Sequence, residues 1–220
     1  MNLSDFIELT LLRPDTTSEQ VEQLCQVAID NQFKAVCIPP FYVPHANKFL
    51  DDTKIRIATV VGFPMGYSTI PAKVEETKRA IDDGVHELDM VANLCAIKDG
   101  AWSHVHNDID SVVRAAHLRG KTFKVILETG LLSADEIKRM CELCTNLGVD
   151  IVQTSTGIST PETSIEIVEF LKQNIGKEVR IKAFGNIQSQ KLASQLITAG
   201  ASRIGTPSGL KIISAESNPS

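Results

Sequence analysis

The 220-residue chain is 43% hydrophobic and 22% charged, enough to close one apolar core and too mixed for a disordered or low-complexity chain. A formal net charge of −5 excludes an electrostatic case for nucleic acid or an anionic membrane surface, and no apolar run approaches the roughly 20 residues of a membrane helix. Five cysteines, an odd number, with no signal-peptide pattern at the N-terminus, predict reduced thiols and a cytoplasmic location.

In chain order, residues 1–5 open a short helix or an extended arm. Residues 6–12 form a first strand closed by Arg13-Pro14. A helix follows over 17–31, capped by Ser18, with Val21, Leu24, Cys25, Ala28 and Ile29 as its apolar stripe. Strands are predicted over 33–38 and 55–61 around a short helix at 43–50. A helix at 71–83 and a strand at 85–92 come next. A long helix at 102–118 is stopped by Gly120. A strand at 122–127 precedes a helix at 133–147, where Ser133 and Glu136 make a capping box. Asp150 to Ser159 begins as an apolar strand and breaks into a Thr/Ser/Gly turn, with a helix at 161–174 beyond. A strand at 178–184, a helix at 189–199 and a last strand at 203–205 complete the pattern.

Eight strands alternating mostly with helices imply a parallel sheet, and eight such units point to a single closed (β/α)8 TIM barrel over residues 1–213, with 214–220 as a loose tail. The open doubly wound sheet is the competing architecture. It would carry a glycine-rich dinucleotide loop after an early strand, and no GxGxxG occurs.

In such a barrel the chemistry sits at the C-terminal ends of the strands. Polar residues interrupt four consecutive strands: Glu87 and Asp89, then Lys124 and Glu128, then Gln153, then Arg180 and Lys182. Neighbouring parallel strands lie about 4.8 Å apart, so these groups can meet. Two readings stand. One is an internal salt-bridge network, since buried charges are normally paired. The other is a site in which Lys182 and Asp89 face a substrate as amine and proton shuttle. Gln153 either braces structure or faces a wet pocket. Cys141 and Cys144 read as buried helix cysteines rather than zinc ligands. His104 and His106 lack the i, i+4 spacing of a metal pair. Trp102 either anchors the long helix to the barrel or sits at a subunit contact.

These motifs carry a resemblance over nearly the whole chain. Ile7 to Pro14 resembles the "IDHTLLKP" segment of the deoxyribose-phosphate aldolases, Cys37 to Val43 their "CVNPxYV", and Gly62 to Gly66 their "GFPxG". Glu87 to Asn93 matches "EIDMVxN", Val152 to Ile158 resembles "VKTSTGF", Ile181 to Ile187 "VKASGGI", and Arg203 to Gly209 "RIGxSSG". The resemblance implies a class I aldolase. Such an enzyme reversibly cleaves 2-deoxyribose 5-phosphate to acetaldehyde and glyceraldehyde 3-phosphate through a lysine imine, without metal or cofactor. Its partners are then a small phosphorylated sugar and a second copy in a homodimer. The resemblance places Lys182 as the second, tuning lysine and Asp89 as the proton-transfer carboxylate. Gly157, Gly185, Gly205 and Ser208 fall at phosphate-binding positions.

The chain departs from that pattern at the mouth. Gln153 stands where the imine lysine belongs, and a primary amide forms no stable imine. Leu9 replaces His, Pro39 replaces Asn, Phe184-Gly185-Asn186 replaces Ser-Gly-Gly, and Pro207 replaces a Ser. Three readings follow: an impaired aldolase-like lyase relying on Lys182, a non-catalytic barrel that binds a sugar phosphate or partner, and a divergent enzyme using Asp89 and Lys182 for acid/base chemistry.

Overall fold

The computed structural model describes residues 2–159 and 163–214. Eight parallel strands close into one barrel: β1 (Ile7–Thr10), β2 (Ala35–Ile38), β3 (Arg56–Val61), β4 (Glu87–Val91), β5 (Thr122–Ile126), β6 (Ile151–Gln153), β7 (Arg180–Phe184) and β8 (Arg203–Thr206), with β8 pairing back onto β1. Around them run α1 (Ser18–Asp30), α2 (Val43–Leu50), α3 (Ile70–Asp82), α4 (Leu94–Lys98), α5 (Trp102–His117), α6 (Ala134–Asn146), α7 (Ile165–Asn174), α8 (Gln190–Ala199) and α9 (Gly209–Ser214). The (β/α)8 TIM barrel expected from the alternation is the observed architecture.

Alternation along the strands builds two cores. Outward residues such as Leu88, Met90, Phe123, Val125, Val152 and Ile181 join the helices in one large apolar layer. Inside the barrel a small apolar cluster of Cys37, Ala58 and Val60 is joined on the inward face by buried Val91, Ile126 and Ile151. A set of buried charged residues occupies the same interior.

Local signals place most of the boundaries. Ser133 caps α6: its Oγ accepts from Glu136 N–H at 3.2 Å, and Glu136 Oε2 accepts from Ser133 N–H at 2.7 Å. Replacing Ser133 with Ala is expected to lower stability by about 1 kcal/mol, read as a shift in the urea midpoint with unchanged m-value.

Elsewhere the structure corrects details. Thr17, not Ser18, caps α1, because its hydroxyl is the one placed to accept from Gln20 N–H. The short helix expected near the N-terminus is a 3-10 turn at Leu3–Phe6, whereas α4 and α9, and 3-10 turns at Pro40–Tyr42 and Thr129–Leu131, were not predicted. α9 takes in Ser214, and residues 215–220 lie outside the described residues. The predicted helix start at Pro161 also lies outside them, and α7 opens on its Ser164 cap. Trp102 packs against the large core, with the Arg139 guanidinium 4.2 Å from its ring centroid, which ties α5 to α6. Among the described residues no helix is long and apolar enough to cross a membrane.

Candidate active site

Strand alternation turns a set of charges inward, and barrel closure gathers them. Lys124 Nζ on β5 lies 2.7 Å from Glu8, 2.7 Å from Glu87 and 2.9 Å from Asp89. Lys182 Nζ on β7 donates to Glu8 and, at 2.6 Å, to Asp89. Arg203 on β8 reaches Glu8 at 2.8 Å and Glu87 at 3.1 Å. Three carboxylates and three cations are thus matched in a dry interior, and every one is buried. The half-exposed Arg56 adds a further contact to Glu87 at 2.8 Å.

The network fixes the charge states of its members. Burial works to raise the Glu8 carboxyl, but Lys124, Lys182 and Arg203 outweigh it and hold Glu8 well below the usual range. The same balance, led by Lys124 and Arg203, lowers Glu87 to about 2. For Lys182 burial favours the neutral amine, yet Asp89 and Glu8 prevail and raise its pKa above the ordinary value of 10.5. Burial opposes the Lys124 ammonium too, but Asp89, Glu8 and Glu87 outweigh it and raise its pKa well above the ordinary value.

Gln153 sits on β6 in register with Lys182 on β7. Its Nε2 donates to Ser155 O at 2.6 Å, while its Oε1 is buried without a hydrogen-bond partner. The loop after β6 is held from β5: Glu128, in a left-handed backbone conformation at φ 57°, accepts from Thr156 N–H at 3.1 Å and Thr156 Oγ1 at 2.5 Å. Above the charges the barrel opens into a cleft of about 530 Å³. Its walls include Leu11, Leu12, Phe63, Gly157, Phe184 and Gly205. Phe184 shares the inward face of β7 with Lys182, two residues on, and its ring centroid lies 5.7 Å from Lys182 Nζ. The ring forms the floor of the cleft and the roof of the charge network.

The expected site residues therefore separate into groups. Asp89 and Lys182 meet directly, and Gln153 stands beside them. Gly157, Gly185 and Gly205 line the mouth cleft. Ser208 lies instead along a different groove with Leu9, Gln20 and Lys211. Asn186 keeps a left-handed backbone at φ 51°, a conformation asparagine tolerates better than most side chains. Arg180 shares the face of Lys182 but lies at the opening end of the strand, exposed, and does not join the network. Two members were missed, Glu8 and Arg203. Each interrupts an apolar stretch, which is the signal that found Asp89 and Lys182.

Among the described residues, Glu8, Cys37 and Asp89 are the group whose donor atoms converge as metal ligands would. Both carboxylates are already engaged by lysine ammonium groups, and burial pushes the Cys37 thiol well up, so this donor set is neutralised in place. Cys141 and Cys144 are free and buried in α6, with burial raising Cys141 to about 12.

The buried Lys182–Asp89 pair lies within the (β/α)8 barrel below its C-terminal mouth, the end at which such barrels carry their chemistry. A family model described as DeoC/LacD family aldolase matches residues 8–215. The chain is 40% identical over 220 residues to a deoxyribose-phosphate aldolase of Thermococcus gammatolerans, covering 99% of this chain and 98% of the relative. It is 42% identical over 219 residues to one of Staphylococcus epidermidis, covering 99% of both. The solved tetrameric deoxyribose phosphate aldolase of Aeropyrum pernix superposes with a TM-score of 0.91 at 29% identity, over 98% of this chain and 91% of that one. With a family model spanning nearly its whole length and full-length relatives at about that identity, the chain belongs to the DeoC/LacD aldolase family.

Proposed function

We propose that this chain is a deoxyribose-phosphate aldolase-like lyase in which the imine step is impaired. The reaction in question is cleavage of 2-deoxyribose 5-phosphate to acetaldehyde and glyceraldehyde 3-phosphate, a small phosphorylated sugar being the substrate class that family membership suggests. The observation that carries the reading is the state of the two candidate nitrogens. The Gln153 nitrogen is an amide whose lone pair is delocalised into its own carbonyl. The Lys182 nitrogen is an ammonium gripped by Glu8 and Asp89.

Imine formation needs a neutral amine. Even at an unperturbed lysine pKa, only on the order of one amine in a few thousand is free at pH 7. The carboxylates beside Lys182 raise its pKa and cut that fraction further. Phe184 also stands between Lys182 and the open cleft.

The test is trapping with acetaldehyde and borohydride at pH 7, read by peptide mass spectrometry, alongside an assay of 2-deoxyribose 5-phosphate cleavage. The expected result is no reduced adduct on Lys182, and cleavage at least about a thousandfold below that of a family member carrying the imine lysine. A stoichiometric adduct on Lys182, or cleavage at the rate of such a relative, overturns the reading.

A further inference from the structure

We propose that Lys73, held by Asp108, is a positioning residue for the mouth of the barrel: it fixes the Gly62–Gly66 turn against the end of β4, and through that turn the place of Phe63 in the cleft wall. The consequence for ligand binding rests on the function proposed above; the clamp rests on the contacts alone.

Lys73 and Asp108 each stand where the helix pattern calls for an apolar side chain. The buried stripe of α3 is Lys73, Thr77, Ala80 and Ile81, and that of α5 includes Val105, Asp108, Ile109 and Val112. The two charges meet between the helices: Lys73 Nζ lies 2.5 Å from Asp108 Oδ2, and both side chains are buried. As a stabiliser the pair is poor. Burial works against both charges, lowering the Lys73 pKa and raising that of Asp108. Asp108 Oδ1 has no hydrogen-bond partner among the described residues. An apolar pair of similar size often packs in such a place at no loss or at a gain. What it cannot do is donate a hydrogen bond.

The Lys73 donor has a definite target. β3 stops at Val61, whose partner is Met90, so Val91 lies one residue past the last β3–β4 pair. There Lys73 Nζ donates to Val91 O at 3.0 Å. The stem of Lys73 runs against Gly62, where a Cβ would come within 2.9 Å of Lys73 Cε. One turn along α3, on the same face, Glu76 Oε2 accepts from Gly62 N–H at 2.7 Å. Gly62 O in turn accepts from Gly66 N–H at 2.8 Å, and Gly66 lies so close to β4 that a Cβ would overlap Ala92 O. The turn is thereby held from α3 on one side and from β4 on the other. Phe63, carried inside it, packs on Cys37, Ala58 and Val60 and lines the cleft. Asp89 stands two residues before the carbonyl that Lys73 holds, so the same amine steadies the strand that carries this carboxylate.

Amide hydrogen exchange read by NMR tests the clamp, with titration by 2-deoxyribose 5-phosphate as the readout at the mouth. In the wild-type chain Gly62 and Gly66 N–H are expected to exchange as slowly as amides of the neighbouring strands. The double variant Lys73→Met, Asp108→Leu replaces the pair with apolar groups and should keep the urea midpoint at or above that of wild type. Its Gly62 and Gly66 amides are expected to exchange at least about tenfold faster with the strand amides unchanged, and its affinity for the 5-phosphate to fall about tenfold. A merely structural pair would move neither readout at equal stability. Unchanged exchange at Gly62 and Gly66 overturns the proposal, as does faster exchange with unchanged affinity, or a lowered midpoint with every amide accelerated together. Wild-type Gly62 and Gly66 amides that exchange as freely as those of an exposed loop overturn it without any variant, so the test survives a double variant that does not fold. If the wild-type chain binds no 5-phosphate, the function reading falls, and the exchange pattern still decides the clamp.

Discussion

Gln153→Lys is expected to create an amine that acetaldehyde and borohydride trap, at a site where the wild-type chain yields no adduct. The reason is electrostatic. The network already matches three carboxylates with three cations, and position 153 is in register with Lys182 on the neighbouring strand. A fourth cation there would have no carboxylate of its own, and burial together with the charge of Lys182 would disfavour its protonated form. A fall in pKa from near 10.4 to about 7 or 8 would raise the neutral fraction at pH 7 by a few hundredfold or more. The expected outcome is a single reduced adduct on the substituted residue, with acetaldehyde-dependent turnover at least about a hundredfold above the wild-type background. An adduct that forms on Lys182, or none at all in a folded Gln153→Lys chain, would mean that the missing amine is not what limits the site.

The barrel was legible because its evidence is local and repeated. Apolar runs such as Val85 to Ala92 and helix stripes such as that of residues 17–31 carry their period within a few residues. The five-residue helix α4 is too short to show any period, and it went unseen. Asp89 and Lys182 stood out for the same local reason, as charges within apolar strands. Arg180 shows where such reasoning ends: alternation assigns a face of the strand but not a depth in the barrel, and this residue lies at the exposed opening of β7. Glu8 and Arg203 carry the same local signal, but their place in the network depends on β1 and β8 pairing to close the sheet, which no local pattern records. Phe184 was visible as added bulk at a position where the family has serine. That its ring lodges between Gly157 and Gly205 is a matter of packing across three strands, and no spacing in the sequence encodes it.

Glu8 bonds to all three of the buried cations, Lys124, Lys182 and Arg203. Glu8→Ala is expected to cost about 3–5 kcal/mol, because it leaves buried cations without their counter-charge rather than merely deleting a contact. Glu8→Asp keeps the charge one methylene shorter and should recover most of that loss. The urea midpoint at pH 7 measures both. The dependence on pH gives a second, independent reading. Glu8 and Glu87 bind protons more weakly folded than unfolded, Glu87 at about 2 against an ordinary 4.5 and Glu8 well below the usual carboxylate range. Across that interval the unfolded chain holds protons that the folded chain does not, so acid favours unfolding. Their stabilisation is fully present above an ordinary glutamate pKa and drains as pH falls towards 2 and below. Wild-type stability should therefore be level near neutrality and fall below about pH 4.5, with the two carboxyls each adding to the slope. Glu8→Ala should begin less stable and fall less steeply, because one of those proton differences is gone. If instead the variant kept the wild-type slope, or lost less than about 1 kcal/mol at pH 7, the six buried charges would not be acting as one network.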